Sequence, residues 1–161
     1  MARRAAATVT DPEMPMLTLV DLGVLRDVRE EAGGLVVIIT PTYSGCPAMA
    51  TMRTDLERAL TSAGFDRVDV RTQLAPAWTT DWITPDGRRK LEEHGIAPPQ
   101  VVRARPTGPI PLTLTPYLPP VQCPQCGSFD TELSSAFGST ACKALHRCRS
   151  CGEPFDRIKE I

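Results

Sequence analysis

Six cysteines carry most of the chemistry open to this 161-residue chain, and they are unevenly spread. Four make two knuckles, Cys123-Pro124-Gln125-Cys126-Gly127 and Cys148-Arg149-Ser150-Cys151-Gly152, with 21 residues between Cys126 and Cys148. Two such loops can close four thiolates around one tetrahedral ion, and the glycine after each lets backbone amides turn toward the sulfurs. Cys46 stands apart in Tyr43-Ser44-Gly45-Cys46-Pro47 and implies a separate thiol site.

A tail of about forty residues is too short to bury a stable core without a staple. Zinc on Cys123, Cys126, Cys148 and Cys151 would supply one, although the same ligands can hold iron. Cys142 and His146 are alternative ligands. Because the knuckles already complete a tetrahedron, Cys142 is read as a small buried residue and His146 as a surface strand residue.

Cys46, just before Pro47, reads as the N-cap of the longest helix, where the helix dipole and free amides favour a thiolate. Thr42, Tyr43 and Ser44 add hydroxyls. The pattern suits a metal-binding or reactive thiol, and equally a cysteine filling a strand-to-helix corner. No second cysteine is near enough in sequence for dithiol redox chemistry. A hydrolase would need a histidine base, and His94 and His146 are both poorly placed. One thiol cannot hold an iron–sulfur cluster alone. It needs a second copy of the chain in a homodimer, a carboxylate such as Asp21, or a partner's ligands.

The elements that position these residues follow from periodicity. Residues 1–8 read as a frayed arm, and Thr10-Asp11-Pro12-Glu13 as the start of a short helix. Val24–Glu31 and Leu35–Thr40 read as a hairpin through Ala32-Gly33-Gly34, the second strand apolar on both faces and so central. A helix over Pro47–Ala63 has a stripe at Met49, Met52, Leu56, Ala59, Leu60 and Ala63, capped by Gly64. Val68–Leu74 is a third strand. Thr84 and Pro85 open another helix, which stops at Gly95. Half of the 16 prolines lie between Pro98 and Pro120, a linker or strap. Strands at Thr131–Ala136, Lys143–Cys148 and Phe155–Ile161 surround the knuckles. The expected organisation is an α+β domain over 1–97, a proline-rich connection over 98–120, and a zinc ribbon over 121–161. Trp78 and Trp82 are either contact residues or packing.

The net charge of −1 with mixed signs argues against nucleic acid as a partner. No apolar run reaches the ~20 residues of a membrane span. Arg3 and Arg4 have no long apolar stretch behind them, so no secretion signal is read and the expected compartment is the reducing cytoplasm. A di-iron Glu-x-x-His pair and a glycine-rich dinucleotide fingerprint are both missing, so the chain is expected to have no catalytic site for oxygen or nicotinamide chemistry.

Asp11-Pro12-Glu13-Met14-Pro15, Asp21-Leu22-Gly23-Val24 and Thr40-Pro41-Thr42-Tyr43-Ser44-Gly45-Cys46-Pro47 resemble the small domain of cytosolic iron–sulfur assembly and targeting factors. Pro76-Ala77-Trp78-Thr79-Thr80-Asp81-Trp82 and Phe137-Gly138-Ser139-Thr140-Ala141-Cys142-Lys143, the latter between two knuckles, narrow this. From about Thr10 onward the chain resembles the D-component family of the multicomponent phenylacetyl-CoA epoxidase of aerobic phenylacetate breakdown. The resemblance implies an accessory factor that assists metal or iron–sulfur loading of the oxygenase or reductase subunit, with Cys46 as the functional cysteine and Asp21 as a carried-over acidic position, holding transient iron or a cluster. A stable, non-catalytic adapter of the oxygenase complex is the alternative.

Overall fold

A computed structural model describes residues 1–31, 33–100 and 120–160. Two compact units form, Met1–His94 and Gly95–Glu160. The chain is α+β, with one small mixed sheet and one antiparallel ribbon.

In the first unit, β1 (Leu25–Glu31) pairs antiparallel with β2 (Gly34–Ile39), which pairs parallel with β3 (Val68–Thr72). Leu35 to Ile39 are all buried, as their unbroken apolar run requires of a central strand. Helix α2 (Met49–Ser62) makes the crossover and buries Met52, Leu56 and Leu60. Arg53 on this helix donates to the Val70 carbonyl at 2.8 Å and ties the helix to β3. Gly64, at φ +94°, ends the helix. Helix α3 (Pro85–Glu93) begins as its sequence dictates, with Thr84 Oγ1 accepting from Gly87 N at 3.0 Å and Pro85 in the first turn.

Two expectations at the N-terminus are corrected. Residues 1–8 are not a frayed arm, because Ala2–Ala6 form helix α1 and Ala6 is fully buried. Thr10–Glu13 is not a helix start. Asp11 Oδ1 accepts from both Glu13 N and Met14 N, and Asp11 N donates to the Leu17 carbonyl. The side chain thus closes a turn that competes with helix.

The second unit is a three-stranded ribbon, β4 (Thr131–Ser135), β5 (Lys143–Cys148) and β6 (Pro154–Ile158), all antiparallel. Ala97 bonds to this sheet, accepting from Ile158 N at 3.1 Å and donating to Asp156 O at 2.8 Å. Gly95–Ala97, which the sequence boundary at 97 gives to the first domain, therefore group with the ribbon. Most of the proline-rich connection, residues 101–119, lies outside the described residues.

Candidate functional site

The knuckles are built alike. Gly127 N donates to Cys123 O and Gly152 N to Cys148 O, both at 2.9 Å, with φ +74° and +82° at the two glycines. Cys123 N donates to Ser128 O and Cys148 N to Glu153 O. Positive φ at each glycine folds the loop back toward its own sulfurs.

All four sulfurs lie within 4.8 Å of one another. Cys123 and Cys151 are 3.8 Å apart, Cys126 and Cys148 3.6 Å. Four thiolates about 2.3 Å from one centre span tetrahedral edges of about 3.8 Å, so the donor set fits zinc. The amide of Cys151 donates to the Cys148 sulfur and brings that thiol down to about 6, although burial opposes it. Cys151 moves the other way, to about 12; the amide of Glu153 favours its thiolate, but burial and the three neighbouring sulfurs outweigh it. Four thiolates this close need a cation among them.

Neither alternative ligand joins this group among the described residues. Cys142 is buried, its sulfur 3.0 Å from Thr140 Oγ1. His146 is not the surface residue its strand position suggested. It is 6% exposed and stacks on Phe155 at 5.7 Å, because β5 turns Ala144, His146 and Cys148 to the inner face. Burial and then Arg157 push the imidazole below its ordinary value.

Cys46 is half-buried on the 41–48 connection, between exposed Gly45 and Pro47. It is not the N-cap of α2. That position is Ala48, and Cys46 precedes it in a turn closed by Cys46 N to Tyr43 O at 3.2 Å and Met49 N to Cys46 O at 3.4 Å. Proline at 47 leads the chain through this turn before the helix begins.

Asp21 is 7% exposed. Its Oδ2 accepts from Lys90 Nζ at 2.7 Å and Thr18 N at 2.8 Å. Burial pushes its carboxyl up, but the bonds from Lys90 and Thr18 outweigh that and hold it below the usual range. The structure thus commits this oxygen to α3 and to its own loop.

The tryptophans brace that loop, a role their sequence left open. Trp78 is 4% exposed and its Nε1 donates to Leu22 O at 2.8 Å. Trp82 stacks under the Arg26 guanidinium, 3.5 Å from the ring centre. A Cβ on Gly23 would lie 2.6 Å from Trp82 Cβ, and one on Gly87 2.8 Å from Asp21 O. Only glycines allow this approach, a signal visible in the sequence solely as Asp21-Leu22-Gly23.

A protein of Escherichia coli (strain K12) named as the D component of a 1,2-phenylacetyl-CoA epoxidase is 50% identical over 154 residues, 95% of this chain and 87% of that protein. This chain belongs to the D-component family of the phenylacetyl-CoA epoxidases. Residues 109–159 match the PaaD zinc beta ribbon domain, and residues 2–71 match the family described as iron-sulfur cluster assembly protein. The second match takes in α1, which the resemblance starting at Thr10 left out. A crystal structure of a domain of unknown function, DUF59, from Bacillus anthracis is similar in fold, with TM-score 0.51 and 24% identity over 56% of this chain and 87% of that one. A conserved hypothetical protein from Thermotoga maritima gives TM-score 0.47 and 28% identity over 56% of this chain and 89% of that one. In this member of the D-component family, no helix among the described residues is long and apolar enough to cross a membrane.

Proposed function

We propose that this chain is an accessory maturation factor of a multicomponent phenylacetyl-CoA epoxidase, acting in the cytoplasm. It assists loading of iron or an iron–sulfur cluster into the oxygenase or reductase subunit and performs no step of the oxygenation itself. The observation that carries this reading is the position of Cys46. It sits half-exposed on a connecting turn, inside the 2–71 stretch that matches the iron-sulfur cluster assembly family.

Cys46 supplies the thiolate that takes up the cargo, which passes on as substrate and does not stay. Asp21 stands second. Its Oδ2 is held by Lys90 and Thr18, which leaves Oδ1 as the atom to reach iron, so its first task is to hold the loop ahead of Gly23. The ribbon, made rigid by its own metal, presents exposed Phe129, Leu133 and Phe137 to the client.

The test is co-expression of the oxygenase and reductase subunits with and without this protein, followed by its removal. A maturation factor is needed during assembly only, so clients made in its presence keep full iron and activity after it is gone. If activity vanishes on removal while client iron stays full, the chain is instead a resident adapter.

A further inference from the structure

β3 is an edge strand of the first unit, and among the described elements it packs only against β2 and α2. Its ladder to β2 uses alternate residues. Leu35 N donates to Arg67 O and Gln73 N to Ile39 O. Asp69 and Arg71 fall in step with these, so Val68, Val70 and Thr72 turn their amides and carbonyls to the open edge. Such a row of backbone groups is a template for one more strand.

Arg53 holds the middle of that row. From α2 its Nη1 donates to the Val70 carbonyl at 2.8 Å and its Nη2 to Thr72 Oγ1. On the solvent face Asp69 and Arg71 flank Val70, both exposed. Asp69 Oδ2 accepts from Arg71 Nε at 2.7 Å, and Arg71 Nη1 donates to Glu31. Asp69 Oδ1 and Arg71 Nη2 make no hydrogen bond among the described residues.

We propose that the β3 edge is a pairing site for a second copy of this chain, with Arg53 as the latch that competes for it. Laid antiparallel with Val70 opposite Val70, two copies exchange both bonds at that pair and at the Val68–Thr72 pairs on either side, using only groups that face the edge. This register also sets Asp69 of each copy opposite Arg71 of the other, where the open Oδ1 and Nη2 meet a charge of opposite sign. In-register parallel pairing would set like charges side by side. Antiparallel pairing requires Arg53 to give up the Val70 carbonyl. The site is independent of the role given to Cys46.

The full-length, zinc-loaded protein is followed by sedimentation over a concentration series and by amide exchange. Arg53→Met, which keeps the aliphatic stem, should tighten self-association on the order of tenfold or more, because two bonds to Val70 carbonyls are given up per wild-type dimer and none per variant dimer. In both proteins the amides of Val68, Val70 and Thr72 should gain protection as concentration rises. Adding Asp69→Arg to Arg53→Met should undo the gain, and adding Arg71→Asp to that pair should restore it, since the exchanged charges again oppose each other. Retained zinc and unchanged tryptophan emission show that each variant is folded. An Arg53→Met protein that associates no better than wild type would overturn the assignment. So would a dimer that leaves the Val70 amide unprotected, or one that the charge exchange fails to restore. Val70 and Thr72 amides already protected in dilute wild type would overturn it too, since the edge would then be filled within one chain.

Discussion

Asp21→Asn probes the ion pair that pins the loop ahead of Gly23. Asparagine can place a neutral amide oxygen where Oδ2 accepts from both Thr18 N and Lys90 Nζ, so the change removes chiefly the negative charge opposite Lys90. A hydrogen bond to a charged group contributes about 1.5–3 kcal/mol. Lys90 is 27% exposed along its side chain and keeps Asp86 at 3.3 Å, so it is not stranded. A neutral acceptor keeps about 0.5–1.5 kcal/mol of that contribution, which places the expected loss near 1 kcal/mol. Urea unfolding followed by tryptophan fluorescence is the assay, because Trp78 is bonded to Leu22 inside the affected loop. Lys90→Met should cost a similar amount, and the double variant little more than either, giving a coupling energy of about 1 kcal/mol. The sign with pH follows from the lowered carboxyl. The contribution is whole above the unfolded value of about 3.9 and is lost as pH falls through the folded value, so variant and wild type should converge in acid. An Asp21→Asn protein within about 0.5 kcal/mol of wild type at neutral pH would refute the reasoning and make the pair equivalent to a surface contact.

Further outcomes follow from the same geometry. Freshly prepared reduced protein should carry close to one zinc per chain by elemental analysis, and Cys126→Ser should lose it while Cys142→Ala keeps it. Gly23→Ala puts a Cβ 2.6 Å from Trp82 at φ +68° and should cost about 2–4 kcal/mol in urea unfolding. A fragment ending at His94 should unfold cooperatively without metal, since β2 and α2 bury their apolar faces inside that unit; a broad, non-cooperative melt would mean that the ribbon shares its core.

The parts of this fold that local chemistry dictates could be read from sequence. Two Cys-x-x-Cys-Gly knuckles admit few alternatives, and Thr84-Pro85 and Gly64 mark helix ends through their own side chains or lack of one. What failed was competition between local signals. Asp11 looks like a cap, yet it spends its carboxylate on Glu13 and Met14 in a turn. Cys46-Pro47 looks like a helix start, but the turn through Met49 comes first. The burial of His146 depends on which face of β5 is covered, and the use of Trp78 and Asp21 depends on partners 56 and 69 residues away. No window of local sequence holds that information.

The central claim is that Cys46 receives cargo for a client. Its most direct test is the iron content of the oxygenase and reductase subunits purified from cells that carry Cys46→Ala in place of the wild-type chain. The substitution touches one half-buried side chain on a connecting turn, so the variant should stay folded and keep its ribbon zinc. The client subunits should then be present in normal amount but poor in iron. Fully loaded clients, with normal growth on phenylacetate, would contradict the account and leave Cys46 a structural residue.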